Sequence, residues 1–212
     1  MKELVERIKA DGQILDGNIL KVDGFLNHQI DIHLMKQIGQ EFYRLYKDEN
    51  ITKILTIEAS GIAIASFVAD AFDVPLLFAK KSQSTNLGSD VYTSKVYSYT
   101  HNREYTITVS KKYMHENDRF LIIDDFMANG LAMQGLIDVV KQANAEVAGV
   151  GICIEKSYQD GGKLTRSKGI RVESLAKIKS MNIQLLGTLW ISGNENPKFK
   201  LSEQEKPLAL TN

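Results

Sequence analysis

Two hydrophobic periods alternate along the chain. Short runs rich in Ile, Leu and Val are typical of strands buried on both faces of a parallel sheet, and they are separated by stretches in which apolar residues recur every three or four positions, as in amphipathic helices. Strands are predicted within 51–60, 74–81, 119–125 and 146–156. Helices are predicted over 2–10, 32–47, 61–72 and 131–143. The pattern predicts an α/β fold with a mostly parallel sheet flanked by helices.

The predicted elements occur twice in the order strand, helix, strand, which indicates two βαβ units. Between them, 82–110 is polar, and the alternation in "YTSKVYSYT" and "EYTITVS" predicts an inserted hairpin. A long insertion of this kind often serves as an active-site lid. From Gly193 onward the chain is polar and contains two of the three prolines. We therefore expect one domain over 1–192, followed by a polar C-terminal tail over 193–212.

Composition restricts the partners. Of the 212 residues, 26 are basic and 26 acidic, so no overall charge attracts nucleic acid or an anionic membrane. The single cysteine, Cys153, cannot form an internal disulfide, and no apolar run approaches the ~18 residues of a membrane-spanning helix. The first residues carry no signal-peptide core. We expect a cytoplasmic protein with neither nucleic acid nor membrane among its partners.

The stretch "FLIIDDFMANGLA" at 120–132 contains the strongest candidate chemistry. An apolar strand runs into Asp124 and Asp125, and a small-residue turn around Gly130 then leads into a helix. Free amides at a helix start favour a phosphate, and carboxylates accept hydrogen bonds from sugar hydroxyls, so the pattern indicates a ribose phosphate site. Magnesium ligands of a nucleotide hydrolase, or a helix cap, are the alternatives. The phosphate-loop signature is missing, because "GGKLT" at 161–165 lacks its spacing.

This stretch resembles the phosphoribosyl pyrophosphate (PRPP) motif of the type I phosphoribosyltransferases. Three further stretches, "LKVDGFLNHQID" at 20–31, "TIEASGIAIA" at 56–65 and "IEKSYQ" at 154–159, make the chain similar to the xanthine branch of that family, which serves bacterial purine salvage. The resemblance extends from the N-terminus to about residue 180. It implies the type I fold, with a small hood formed by the chain ends that includes 1–31. It also implies transfer of a ribosyl phosphate from PRPP to xanthine, giving xanthosine 5′-monophosphate and pyrophosphate.

The same resemblance assigns roles to individual residues. PRPP phosphate binding is implied for Ala128, Asn129, Gly130, Leu131 and Ala132. Purine contacts are implied for Leu20, Asn27 and Lys156, with Tyr158 expected to stack on the base. A pyrophosphate loop is implied for Glu58, Ala59, Ser60 and Gly61, and Lys80 and Lys81 are candidates to offset the pyrophosphate charge. Many relatives carry hydroxyl residues where this chain has Asn129 and Ala132, so phosphate recognition would fall mainly to the backbone.

Side-chain chemistry supports an oxopurine. Lysine only donates hydrogen bonds, so Lys156 suits a 6-oxo group and would reject the amino group of adenine. The amide of Asn27 can donate to the 2-oxo group of xanthine, although a flipped amide can accept from the 2-amino group of guanine. Hypoxanthine or guanine therefore remains an alternative substrate.

The implied catalysis requires little proton transfer. Asp124 and Asp125 would stabilise the cationic ribose of the transition state, and Mg²⁺ would be held mainly by PRPP, pyrophosphate and water, with no direct protein ligand expected. The family suggests a homodimer. A PRPP-sensing regulator of the same fold is the alternative from another class, but it needs a DNA-binding element that the short N-terminal helix does not offer.

Overall fold

A computed structural model describes residues 1–15, 19–81, 90–98, 103–182 and 188–191. The predicted tail at 193–212 and parts of the predicted lid, 82–89 and 99–102, lie outside the described residues.

All the predicted helices and strands are present in the predicted order, and five further elements that were not predicted accompany them. The helices are α1 (Lys2–Asp11), α2 (Ile32–Tyr46), α3 (Ser60–Phe72), α4 (Leu131–Gln142) and α5 (Gly161–Ser167). The strands are β1 (Gln13–Leu15), β2 (Ile19–Lys21), β3 (Lys53–Ile57), β4 (Leu76–Ala79), β5 (Val91–Ser98), β6 (Arg103–Ser110), β7 (Arg119–Met127), β8 (Glu146–Lys156), β9 (Val172–Asn182) and β10 (Thr188–Ile191). A π-helical turn covers Asp23–Asn27, and a 3-10 turn covers Lys111–Tyr113.

The main sheet has the strand order β10-β9-β8-β7-β3-β4. Its five strands from β9 to β4 are parallel, and β10 is added antiparallel at the edge. The prediction of a mostly parallel sheet flanked by helices is therefore confirmed. Because the strands are parallel, β3, β4, β7 and β8 all end at the same edge of the sheet, where ligands of open α/β folds bind.

The core consists of two apolar layers, one on each face of the sheet. Leu121 and Ile123 of β7 pack towards α1, α2 and α3, whereas Phe120 and Ile122 pack towards α4 and the β5–β6 hairpin. Neighbouring residues of a strand point to opposite faces, so the central strand contributes to both layers. Packing on both faces therefore holds β7 between α2 and α3 on one side and α4 on the other, with its carboxyl end at the ligand-binding edge.

Two hairpins lie beside this sheet. The predicted antiparallel hairpin is formed by β5 and β6, and it joins the end of β4 through reciprocal main-chain bonds of 3.0 and 2.9 Å between Lys80 and Thr108. The β1–β2 hairpin precedes the π-helical turn, and the amino group of Met1 donates to the Leu175 carbonyl at 2.5 Å. The N-terminal segment thereby lies against β9. In the described part of the chain, every helix is too short or too polar to cross a membrane.

Candidate active site

Asp124 and Asp125 form an acid pair at the carboxyl end of β7, and each is only 7% exposed. The Asp125 N–H donates to Asp124 Oδ1 at 2.9 Å, and the Phe126 N–H donates to Asp125 Oδ1 at 3.0 Å. Asp124 Oδ1 lies beside the start of α3, 3.2 Å from the position of a Cβ on Gly61, and Asp125 Oδ2 accepts from Asn27 Nδ2 at 2.9 Å. The pair is therefore held by main-chain hydrogen bonds, with one carboxylate towards the turn before α3 and the other towards the N-terminal segment.

The acid pair is electrostatically strained. Burial raises the pKa of Asp124 well above its usual range, and the charge of Asp125 raises it further, while the nearby Lys81 acts in the opposite direction. Burial, followed by the charges of Asp125 and Asp124, likewise raises the pKa of Cys153, so this thiol behind the pair stays neutral. A ligand that brings hydroxyl donors or a cation to the acid pair would relieve this cost.

Residues 128–132, the predicted phosphate loop (hereafter the phosphate loop), form the turn after β7 and the first two residues of α4. Gly130 has a φ of 82°, a conformation that favours glycine, and the Leu131 N–H donates to Asn129 Oδ1 at 3.3 Å. Gly130, the residue before α4, makes no side-chain cap bond. Apart from the bond of Leu131 to Asn129, the first amides of this helix are therefore available to a phosphate, since small residues surround them.

Residues 58–61, the predicted pyrophosphate loop (hereafter the pyrophosphate loop), form the turn after β3 and the first two residues of α3 at the same sheet edge. The peptide bond between Glu58 and Ala59 is cis, and Glu58 Oε1 accepts a 2.7 Å hydrogen bond from the Lys81 N–H. A Cβ on Gly61 would lie 2.1 Å from Thr56 Oγ1 and 3.2 Å from Asp124 Oδ1. The loop therefore packs directly on the acid pair, and glycine is the residue that fits.

The predicted purine-binding residues lie in different elements and differ in how exposed they are. Asn27, at the end of the π-helical turn, donates from Nδ2 to Asp125 Oδ2 at 2.9 Å, which joins the N-terminal segment to the acid pair. Lys156, at the end of β8, lies with its ammonium 6.0 Å from the centre of the Phe126 ring, and burial lowers its pKa. Tyr158 is 40% exposed in the following turn. Leu20 is buried with the core, so a purine contact there would come from its backbone.

Four residues at this site were missed by the sequence reasoning. Phe126 lies inside the quoted acidic motif but received no role, and Gly161 was considered only for a different phosphate motif. Thr56 is completely buried, and its hydroxyl has no hydrogen-bond partner among the described residues. Tyr105 of β6 has its ring 5.9 Å from the Lys81 ammonium, and burial, followed by the charge of Asp124, raises its pKa. Only the polar residue inside an apolar strand, Thr56, left a signal in the sequence.

Magnesium fits this site as part of a substrate complex. Within the described ranges, no three His, Cys, Asp or Glu side chains are grouped to hold a metal ion. The acid pair supplies carboxylate oxygens, but three of its four oxygens already accept hydrogen bonds. Mg²⁺ commonly keeps several waters and is bound through one or two carboxylates plus substrate phosphates. The donor set therefore suits an ion that arrives with a phosphorylated ligand.

Known proteins are similar to this chain in both sequence and fold. Residues 25–181 match the family described as phosphoribosyl transferase domain. The xanthine phosphoribosyltransferase of Lachnoclostridium phytofermentans is 55% identical over 87% of this chain and 95% of its own length. That of Pediococcus pentosaceus is 52% identical over 85% of this chain and 95% of its own.

Solved structures extend the comparison of the fold. An adenine phosphoribosyltransferase from Rhodothermus marinus superposes with a TM-score of 0.69 at 20% identity, covering 84% of this chain and 99% of that one. The APRTase from Giardia lamblia complexed with 9-deazaadenine gives a TM-score of 0.69 at 19% identity, covering 82% of this chain and 97% of that one. These likenesses show the fold alone. The family match over most of the chain, with relatives above 50% identity, shows that this chain belongs to the phosphoribosyltransferase family and, within it, to the xanthine phosphoribosyltransferases.

Proposed function

We propose that this protein transfers the 5-phosphoribosyl group of PRPP to xanthine, producing xanthosine 5′-monophosphate and pyrophosphate in purine salvage. The relatives above 50% identity carry the name of this activity. One structural observation carries the proposal: the buried pair Asp124 and Asp125 lies at the sheet edge where the phosphate loop and the pyrophosphate loop both end. That arrangement suits a ribose with a phosphate group at each end.

PRPP would bind across these two loops. Amides at the start of α4 that Asn129 does not occupy would hold the 5′-phosphate, and those at the start of α3 would hold the pyrophosphate. The carboxylates of Asp124 and Asp125 would accept hydrogen bonds from the ribose 2′ and 3′ hydroxyls. Lys81, attached through its backbone to Glu58, would add positive charge beside the pyrophosphate.

The reaction would build up opposite charges that the site can stabilise. As the bond from C1 to pyrophosphate breaks, the ribose gains positive charge, and the buried carboxylates stabilise it without transferring a proton. Mg²⁺, when bound through PRPP, neutralises charge on the leaving pyrophosphate. The β5–β6 hairpin is proposed to act as part of a lid that excludes water, because it joins β4 next to Lys81.

Purine choice would depend on Lys156 and Asn27. Lys156 would donate to the 6-oxo group. An ionised Asp125 only accepts hydrogen bonds, so the Asn27 nitrogen must face it, which leaves the second N–H and the carbonyl oxygen of Asn27 for the base. The second N–H suits the 2-oxo group of xanthine, whereas the carbonyl oxygen suits the 2-amino group of guanine. This observation favours guanine as the second candidate substrate, with hypoxanthine next.

Location and assembly complete the proposal. The free buried Cys153 fits a reducing cytoplasm, and the resemblance to the family is the basis for a homodimer. The domain is proposed to cover 1–192. Light scattering of the purified protein would test the dimer directly.

The activity is tested by measuring PRPP- and Mg²⁺-dependent nucleotide formation from xanthine, guanine, hypoxanthine and adenine with a single preparation. We expect kcat/KM to be highest for xanthine and lowest for adenine. A higher value for guanine would reverse the base assignment. Tight PRPP binding without turnover of any base would contradict the enzymatic function and favour a PRPP sensor.

A further inference from the structure

A second segment packs directly against the phosphate loop. The Gly161 N–H, at the start of α5, donates to the Ala128 carbonyl at 3.0 Å. A Cβ on Gly161 would lie 2.5 Å from the Ala128 carbonyl oxygen and 2.6 Å from the Gly130 nitrogen. A Cβ on Gly130 would in turn lie 2.6 Å from the Gly161 Cα. Both sides of this contact are main chain, so no flexible side chain can move aside to make room.

Gly161 is itself held on two sides. Before it, both the N–H and the hydroxyl of Ser157 donate to the Ile178 carbonyl of β9 at 2.9 Å. After it, the Thr165 hydroxyl donates to the Gly161 carbonyl at 2.9 Å and accepts from Gln134 Nε2 of α4 at 3.1 Å. The contact with the phosphate loop is therefore fixed by hydrogen bonds to β9 and α4.

The sequence position of Gly161 connects this contact to the purine side. Only the turn 157–160 separates Lys156 from Gly161, and the Gln159 N–H closes that turn on the Lys156 carbonyl at 2.9 Å. The segment that carries Lys156 and Tyr158 thus ends against the loop that would hold the 5′-phosphate. A shift of Gly161 would change the distance between the bound phosphate and the purine.

We propose that Gly161 is a positioning residue for the phosphate loop, setting where the 5′-phosphate and hence ribose C1 lie relative to the purine. The inference rests on the proposed function, because it assumes that residues 128–132 bind the 5′-phosphate of PRPP. It assigns Gly161 no contact with the reacting atoms. Its action is through the backbone of Ala128 and Gly130.

The neighbouring glycine provides a matched control. A Cβ on Gly162 would lie 2.0 Å from Glu155 Oε1 and 2.6 Å from Arg166 Nη1, and its three nearest atoms all belong to these two side chains. Glu155 and Arg166 form a two-pronged ion pair with bonds of 2.7 and 2.8 Å. Gly162→Ala therefore disturbs the same short helix mainly through side chains, whereas the closest atoms around Gly161 are main chain.

The test compares two inhibitors that separate the two ends of PRPP. Ribose 5-phosphate tests the phosphate loop, and pyrophosphate tests the other loop. We expect Gly161→Ala to weaken ribose 5-phosphate inhibition and raise the KM for PRPP by roughly 10-fold or more, because a displacement near 1 Å can cost up to about 100-fold. Pyrophosphate inhibition and the KM for xanthine should change by less than about twofold. Gly162→Ala should lower the melting temperature but keep ribose 5-phosphate inhibition unchanged.

A milder variant covers the case in which Gly161→Ala does not fold. Thr165→Val removes the hydrogen bond to the Gly161 carbonyl with little change of volume, and it should weaken ribose 5-phosphate about two- to fivefold with the same selectivity over pyrophosphate. Unchanged ribose 5-phosphate binding in the folded variants, or equal weakening of both inhibitors in them and in Gly162→Ala, would overturn the proposal. Calorimetric binding of ribose 5-phosphate gives the same comparison if the wild type forms no nucleotide, so the two proposals fail separately.

Discussion

Two strand-to-helix turns meet at one edge of the sheet, but they are packed in different ways. The pyrophosphate loop is packed by side chains, since Thr56 Oγ1 and Asp124 Oδ1 occupy the space where a Cβ on Gly61 would lie. The phosphate loop is packed by main chain, since the backbone of Gly161 touches it. The two loops have the same topology and the same proposed ligand chemistry, yet they should respond to different substitutions.

The two turns also differ in helix capping from the turn before α2, to which no ligand is assigned. The start of α2 is capped by Asp31, whose carboxylate accepts from the Leu34 N–H at 3.1 Å. The residues directly before α3 and α4 make no such cap bond, although Asn129 accepts from the first amide of α4 at 3.3 Å. Uncapped amides at a helix start need another partner, and phosphate oxygens are suitable. Both helix starts can therefore bind phosphate oxygens. Because they are packed differently, substitutions of neighbouring side chains should affect the pyrophosphate loop, whereas a Cβ added at Gly161 should affect the phosphate loop.

The largest expected effect comes from the residue pair between the two loops. Asp125→Asn keeps the volume but removes the negative charge near the cationic ribose, so kcat should fall on the order of 100-fold in steady-state assays. Asn27→Ala is the control, because it removes the hydrogen bond to Asp125 and leaves the charge. That control should mainly raise the purine KM. Equal losses of kcat in both variants would assign Asp125 to holding Asn27 rather than to the ribose.

Gly61→Ala should impair the pyrophosphate loop selectively. The added methyl would clash with Thr56 Oγ1 at 2.1 Å, so pyrophosphate inhibition should weaken roughly tenfold while ribose 5-phosphate inhibition is kept. Because this clash involves a side chain, Thr56→Ala in the same protein should restore much of the pyrophosphate affinity. The single variant Thr56→Ala measures the cost of the smaller side chain by itself. A double variant as impaired as Gly61→Ala would show that Thr56 is not the obstacle.

The sequence was sufficient for the fold because its strongest patterns are long. The alternation of buried strands and amphipathic helices predicted both βαβ units and the β5–β6 hairpin. It missed α5, which has seven residues, and the three-residue strands β1 and β2, and it also missed the edge strands β9 and β10 of the main sheet. Elements as short as α5, β1 and β2 hold too few apolar positions to show a period. In β9, Glu173, Lys177 and Lys179 interrupt the apolar residues, so no buried-strand run stands out.

The site was predictable where its chemistry is local. Asp124, Asp125 and the phosphate loop are contiguous, so one motif indicated them together. The contact between Gly130 and Gly161 joins positions 31 residues apart, and the bond from Asn27 to Asp125 joins positions 98 apart. Such pairs exist only after folding, because strand order decides which loops become neighbours. A single sequence therefore indicates the ligand-binding groups better than the residues that position them.

Asp124→Asn should stabilise the protein while reducing activity. Burial and the charge of Asp125 raise the pKa of Asp124, so between the ordinary pKa and the raised one the folded chain binds more protons than the unfolded chain. Wild-type stability therefore falls as pH rises through that window, and the asparagine variant avoids this loss. We expect a melting temperature several degrees higher at pH 8, at about 2–4 °C per kcal/mol, and a smaller difference at pH 5.

A second buried carboxylate is the control for this stability measurement. Asp118 is also nearly buried, but it pairs with the Lys53 ammonium at 2.7 Å, so Asp118→Asn should lower the melting temperature. Opposite signs for the two variants would support a strained acid pair at the ligand-binding edge. A lower melting temperature for Asp124→Asn at pH 8 would contradict it.

The smallest expected effect concerns how the hairpin supports Lys81. The Lys81 ammonium lies 5.9 Å from the centre of the Tyr105 ring, and such contacts contribute about 0.5–1 kcal/mol at exposed sites. Tyr105→Leu should therefore weaken pyrophosphate inhibition roughly two- to fivefold, whereas Tyr105→Phe should keep it. Ribose 5-phosphate inhibition should not change, because the phosphate loop does not depend on this cation.

The same hairpin offers a matched pair for this measurement. The Lys111 ammonium lies 5.4 Å from the centre of the Tyr92 ring, and Tyr92 pairs with Val109, four residues along β6 from Tyr105. Tyr92→Leu removes a contact of the same kind away from the pyrophosphate loop, so it should leave pyrophosphate inhibition unchanged. If both leucine variants weakened pyrophosphate equally, the cause would be loss of hairpin stability. If only Tyr105→Leu weakened pyrophosphate inhibition, the pyrophosphate loop would depend on the hairpin through the contact between Lys81 and Tyr105. The phosphate loop, which is packed by main chain, would not share this dependence.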